Sequence, residues 1–154
     1  MAVVRGFRDG DAAWLAEIAN TAFGDEIGRG MPVFDEEYFV KRRDRPGVRL
    51  VVAEVDGAAA GFMLMTDATV EAPAQLHLVA VEEGLRGRGI GGQLVKDAVR
   101  HAEACGAGKL KLSTRPWNHA MKAICEAHGF VEEAYLHREY LGMDLVQYAY
   151  FFSG

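Results

Sequence analysis

A chain of 154 residues, half of them hydrophobic and a quarter charged, has a globular composition, with length for one real core but not for two ordinary domains. Its net charge of −5 argues against a nucleic-acid partner, because phosphate backbones select basic faces. Two cysteines, Cys105 and Cys125, make no disulfide framework, and no apolar run approaches the length of a membrane span.

The first residues, MAVVRGFRDGD, lack the apolar core of a secretory signal, so a cytoplasmic protein with two reduced, buried thiols is expected. Val3–Phe7 reads as a short strand. Asp9 or Asp11 can cap a helix over Ala12–Phe23, where Trp14, Leu15, Ile18, Ala19, Ala22 and Phe23 share a face. Gly24–Val33 breaks that pattern and reads as a loop. Asp35 opens a second short helix, acidic in its first turn and basic in its last. Val48–Val55 and Ala58–Thr66 read as antiparallel strands about the Asp56-Gly57 turn. After the loop Asp67–Pro73, Gln75–Val81 reads as a strand with Gln75, His77 and Val79 on one face and Leu76, Leu78 and Ala80 on the other.

Along Ile90–Ala104 the residues Ile90, Leu94, Val95, Ala98 and Ala102 recur at helical spacing, and Gly106–Gly108 ends that helix. Lys109–Ser113 alternates like a strand. This strand–helix–strand unit predicts two parallel strands joined by a right-handed crossover. Asn118 caps a last helix, His119–His128, which Gly129 stops. Phe130–Tyr140 and Leu145–Phe152 read as a closing antiparallel pair around Gly142. The layout is mixed α/β: one sheet with helices on its faces.

The informative stretch is Gln75 to Leu94, QLHLVAVEEGLRGRGIGGQL. A strand that empties through glycines onto a helix N-terminus can hold a phosphorylated ligand, through free N–H donors and the positive end of the helix dipole. Taken literally, Gly87-Arg88-Gly89-Ile90-Gly91-Gly92 matches the dinucleotide fingerprint G-x-G-x-x-G. Three features oppose it. The next strand ends Leu112-Ser113-Thr114-Arg115, without the acid that would hold a ribose. Only one parallel crossover is visible. The chain is also small for a dinucleotide plus a substrate site.

The spacing Arg86-x-x-Gly89-x-Gly91 resembles the pyrophosphate loop of the GNAT acyltransferase superfamily. Asn118 followed by Glu126-Ala127-His128-Gly129-Phe130 resembles that family's second motif, and the element order matches over nearly the whole length. The resemblance implies a single domain over residues 1–154 with a mixed, mostly antiparallel sheet. It implies acetyl-CoA as co-substrate, no metal, and an acetyl transfer to a primary amine of a small molecule or peptide. Val79, Ala80 and Val81 then lie along the pantetheine arm, with the backbone of Val79 and Val81 pairing to it as to a strand. Arg86, Gly87, Arg88, Gly89, Ile90 and Gly91 wrap the pyrophosphate, and Asn118 contacts the pantetheine or only caps its helix.

The reaction needs a neutral amine, a polarised carbonyl and a proton for the leaving thiolate. Members of the family commonly carry a tyrosine seven residues after the motif asparagine, and that position here is Cys125. Cys125 is read as an acid candidate or as a small helix residue packed with Met121 and Ile124; Tyr135, Tyr140, a water or no acid at all are the alternatives. For the base, some members carry a glutamate where Gln75 stands. His77, His119 and, more weakly, Glu71 are the candidates. The acidic connection AFGDEIGRGMPVFDEE would suit a cationic acceptor, or merely serve helix N-termini. The apolar Tyr148–Phe152 run is read as core or as part of a homodimer contact. The competing reading is an acyl-CoA-binding module that has lost chemistry; protein lysine or N-terminal acetylation is a third. No nucleic-acid or membrane partner is expected.

Overall fold

The alternating segments pair into one seven-stranded sheet in the computed structural model of the protein, which describes residues 2–153. The strands are β1 (Val3–Gly6), β2 (Val48–Val55), β3 (Ala58–Thr66), β4 (Ala74–Val81), β5 (Lys109–Thr114), β6 (Val131–Tyr140) and β7 (Met143–Phe151), in the spatial order β1-β2-β3-β4-β5-β7-β6. Every neighbouring pair is antiparallel except β4–β5. The helices are α1 (Ala12–Ala22), α2 (Gly24–Ile27), α3 (Glu36–Arg43), α4 (Ile90–Ala104) and α5 (His119–Ala127). Among the described residues no helix is long and apolar enough to cross a membrane.

Strand alternation divides the core into two layers. Leu50 and Val52, Phe62 and Leu64, and Leu78 and Ala80 face Leu15, Ile18 and Ala19 of α1 and Phe39 of α3. Val51 and Ala53, Met63 and Met65, and Ala74 and Leu76 face Leu94, Val95 and Ala98 of α4 and Cys125 of α5. Phe62, Met63 and Leu94 are fully buried, each contributing roughly 1.5–3 kcal/mol of hydrophobic transfer. Polar clips tie the elements together: Arg49 of β2 pairs with Asp97 of α4 at 3.0 Å, and His101 near the end of α4 lies 2.8 Å from the Asp67 carboxylate.

Three sequence expectations change. The segment after α1 is not all loop: Asp25 and Glu26 favour a helix start, and α2 closes one turn with Ile27 N–H on the Phe23 carbonyl at 3.0 Å. Only Cys125 is a buried thiol; Cys105 caps the end of α4 and is exposed. The last strand begins at Met143 and not at Leu145; β7 lies between β5 and β6, and its C-terminal run keeps its core reading at Tyr148 and Ala149 while leaving Phe151 exposed.

Gly61 of β3 packs directly beneath the first turns of α4. A Cβ there would lie 2.9 Å from the Ala80 carbonyl oxygen and 3.3 Å from both Ile90 Cγ2 and Leu94 Cδ1. Gly61→Ala should therefore destabilise the fold by about 1–3 kcal/mol, read as a lowered midpoint in urea. Gly10→Ala, whose Cβ meets nothing within 4 Å, should change it by no more than about 0.5 kcal/mol.

Candidate active site

The parallel ladder between β4 and β5 is very short. It contains only Ala74 opposite Leu110 and Gln75 opposite Lys111, after which β4 continues to Val81 without β5 beside it. On its other side β4 stays paired with β3 up to Val81. The Glu82 N–H bonds the Ala60 carbonyl at 2.8 Å. Backbone groups alternate along a strand, so those of Ala80 also turn toward β3, and those of Val79 and Val81 turn into the open fork. The Arg86 Nε, reaching the Val81 carbonyl at 3.4 Å from the fork side, agrees with this. Ala80, expected to lie along the cofactor, instead turns its backbone to β3 and its methyl into the core under α1.

At the end of β4 the chain makes a single turn over Glu83–Leu85 and enters the glycine loop. Gly87 and Gly89 both have φ near +80° (81° and 80°), a conformation that side chains with a Cβ resist. These turns bring successive N–H groups round to the start of α4. The first α4 donor with a partner is Gln93, on the Gly89 carbonyl at 3.1 Å. Among the described residues the N–H groups of Gly87 through Gly92 bond no protein acceptor. Unengaged donors at the positive end of a fifteen-residue helix fit a pyrophosphate. Asn118 is exposed at the start of α5, and its side-chain oxygen accepts the Met121 N–H at 3.1 Å.

On the other side of the fork lies a cleft of about 670 Å³. Gln75, Leu76, His77 and Leu78 line it from β4, Lys111 and Ser113 from β5, Phe23, Tyr38 and Arg42 from the helical layer, and Glu139 and Tyr140 from β6. His77 owes its place to a bulge. Leu64 pairs with Leu78 and Met65 with Leu76, so His77 is the extra residue between two rungs. The bulge overturns the simple alternation expected for this strand. Leu76 faces α4 while Leu78, two residues on, faces α1, and Val79 crosses to the α4 side away from Gln75 and His77.

The His77 Nε2 lies 2.8 Å from the Thr66 hydroxyl. Desolvation against the cleft wall, then the positive charges of Lys111 and Arg42, hold its imidazole below the ordinary histidine range. Its ring still reaches solvent, so it can exchange protons. The other candidates lie elsewhere. Cys125 is fully buried, and that burial pushes its thiol up to about 12, so it has neither the access nor the acidity of a proton donor. His119 is exposed on α5 and Glu71 is exposed in the β3–β4 loop; neither lines the cleft. The Tyr135 hydroxyl is committed to Asp144 at 2.8 Å, whereas Tyr140 lies on the cleft wall.

The acidic connection does not make an acidic pocket. Asp35 caps α3 by accepting the Tyr38 N–H, Glu37 pairs with Lys41, and Glu26 pairs with the buried Arg115 at 3.2 Å. Sequence reading missed Tyr38, Arg42, Arg45, Lys111 and Arg115, which the fold gathers at the cleft or beneath it. The basic last turn of α3 was visible, but nothing local in the sequence brings Lys111 to it.

A family model described as the acetyltransferase (GNAT) family matches residues 15–130. No curated protein matches the sequence at a significant level. Among solved structures, the ribosomal-protein-alanine N-acetyltransferase of Brucella melitensis is 23% identical, with a TM-score of 0.85 over 97% of this chain and 99% of that one. The yncA protein of Salmonella typhimurium, solved with its cofactor acetyl-CoA, is 19% identical, with a TM-score of 0.85 over 99% and 94% of the two chains. The spermidine N-acetyltransferase of Vibrio cholerae, solved with CoA and spermine, is 17% identical, with a TM-score of 0.83 over 97% and 95%. At such identities the structural likeness speaks for the fold, and the match to the family model over residues 15–130 carries the assignment: the chain belongs to the GNAT family of acetyl-CoA-dependent N-acetyltransferases.

Proposed function

We propose that the protein acetylates a primary amine of a small molecule or peptide that enters the cleft beside His77. One observation carries this reading: the open edge of β4, which suits a strand-like ligand, and the cleft meet at the point where the β4–β5 ladder ends. When bound, acetyl-CoA supplies an activated thioester carbonyl. The fork-facing backbone of Val79 and Val81 binds the pantetheine arm. The free N–H groups from Gly87 to Gly91 bind the pyrophosphate, Arg86, whose own N–H is held by the Glu83 carbonyl, adds positive charge with Arg88, and the Asn118 amide contacts the pantetheine beside its capping bond. A backbone N–H near Val81 polarises the carbonyl.

His77 is the general base. In this role the Nε2–H donates to the Thr66 hydroxyl, and Nδ1 carries the lone pair that takes the amine proton. Because its proton affinity is depressed, His77 is neutral at neutral pH, and turnover falls only as pH drops below the ordinary histidine value of about 6.5. Tyr140 is the hydroxyl on the cleft wall that returns a proton to the departing thiolate. Cys125 and His119 take no part.

The first test is a calorimetric titration with acetyl-CoA followed by an amine screen for release of free CoA. Tight binding with slow hydrolysis that no amine accelerates would favour a binding module instead. Gly89→Val puts a β-branched residue at φ 80° and should weaken acetyl-CoA binding by about tenfold or more. His77→Gln should lower kcat by roughly a hundredfold and abolish the acidic limb of the pH–rate profile. Lys111→Met removes one of the charges that depress His77, so the limb should move to higher pH; an unmoved limb would assign it to another group. Cys125→Ala should leave kcat within about threefold, and a loss on the order of a hundredfold, the usual scale for a lost acid, would restore Cys125 as the donor.

A further inference from the structure

The acceptor cleft has a charge opposite to that of the chain. The protein carries −5 overall, yet Arg42, Arg45 and Lys111 converge on this one cavity. Arg5, Arg43, Arg49, Lys109 and Arg115 each sit against a carboxylate. Surface cations such as Arg29, Arg88 and Lys96 are unpaired among the described residues but scattered, so the distinction of the cleft cations is their convergence. Among the described residues, Arg42, Arg45 and Lys111 have no carboxylate within ion-pair reach, and the side chains of Arg45 and Lys111 make no hydrogen bond to protein. Two acids also line the cleft. Glu26 is already neutralised from beneath by Arg115, which is itself buried and held by the carbonyls of Tyr140 and Asp144 at 3.2 Å. Glu139 lies exposed on the β6 rim.

Arg42 is also built into the wall. Its guanidinium stacks 3.4 Å above the Tyr38 ring, and one nitrogen bonds the Tyr38 carbonyl at 3.0 Å. A guanidinium fixed in this way keeps its remaining N–H donors at a set orientation, which suits a planar or tetrahedral oxyanion. Phe23, Met31, Leu64, Leu136 and Leu145 add apolar lining between the charges.

We infer that the amine acetylated here also bears an oxyanion, a carboxylate or a phospho-oxyanion, held by Arg42, Arg45 and Lys111. This rests on the acetyltransferase reading above and narrows its acceptor to zwitterionic amines. The same cations that bind the oxyanion disfavour the ammonium form, so the amine enters as the neutral nucleophile the reaction needs.

Matched acceptors test it. Leucine, serine and glutamine are each compared with their own carboxamide, their decarboxylated amine and their aminophosphonate analogue. In calorimetry without acetyl-CoA, and in kcat/KM with it, the best anionic acceptor should exceed its uncharged or cationic counterparts by about tenfold or more. The carboxylate and phosphonate arms tell which oxyanion is preferred. In the Arg45→Gln variant, whose charge is not among those depressing His77, the preference should shrink to about threefold or less, through KM rather than kcat. A wild-type protein that binds acetyl-CoA but prefers the decarboxylated amine overturns this inference and leaves the acetyltransferase reading intact. Absence of acetyl-CoA binding overturns that reading, and oxyanion binding in calorimetry still decides the charge preference of the cleft.

Discussion

The architecture depends on a ladder that stops. β4 and β5 share only the rungs at Ala74–Leu110 and Gln75–Lys111, although β4 runs on to Val81 and β5 to Thr114. Strands in a sheet interior normally satisfy backbone groups on both sides, and leaving them bare is costly in a dry setting and an invitation to pairing in a wet one. Here both strands keep their outer partners: β3 holds β4, and β7 holds β5 along its whole length. The sheet therefore stays continuous while its middle opens. The opening exposes backbone donors and acceptors of Val79 and Val81 between two rigid walls, which is how a sheet presents a slot for an extended ligand.

Two local features convert that slot into a site for chemistry. Beyond the tip of β4, Gly87 and Gly89 turn the chain so that unengaged N–H groups and the start of α4 face one point. Within β4, the bulge at His77 changes which residues face which layer. Without it Leu76 and Leu78 would share a face, and His77 would align with Val79. With it, His77 projects into the cleft while Val79 packs against the α4 layer. The insertion of one residue thus separates the strand into a part that lines the cleft and a part whose backbone borders the open fork.

Elements with strong local signals were legible in the sequence. Helical periodicity and flanking glycines marked α4 at Ile90–Ala104, and that is where it lies; the Asp56-Gly57 turn placed β2 and β3 to the residue. The glycine loop leading into α4 was legible for the same reason, since its glycines and helix start are adjacent in sequence. The bulge was not legible, because it is a property of the register between β3 and β4 and not of either strand alone. The charge of the cleft was not legible for a related reason. The acidic connection stayed open between a cationic acceptor and service at helix N-termini, the second of which the structure carries at Asp35 and Glu37. The acidic residues after α1 are contiguous in sequence but find partners singly, at a helix cap, in an i,i+4 pair and on Arg115. The cations that matter come from α3, the turn after it and β5, which only the tertiary fold brings together.

In the reaction proposed above, with His77 as base and an oxyanion-bearing amine as acceptor, the position of Lys111 links base strength to acceptor choice. It occupies the last rung of the parallel ladder, opposite Gln75, so its charge sits at the crotch of the fork, two residues along β4 from His77. There it does two things at once: it disfavours protonation of His77, and it adds to the cationic lining of the cleft. Arg42, stacked on Tyr38, acts in the same double sense from the opposite wall. A cleft arranged for a cationic acceptor would need carboxylates in these places, and each would raise the proton affinity of a neighbouring histidine. The histidine would then be protonated over more of the neutral range and would serve less well as a base. A histidine base beside the fork and a cationic lining are therefore mutually reinforcing choices, set by the same few charges around the point where the β4–β5 ladder ends.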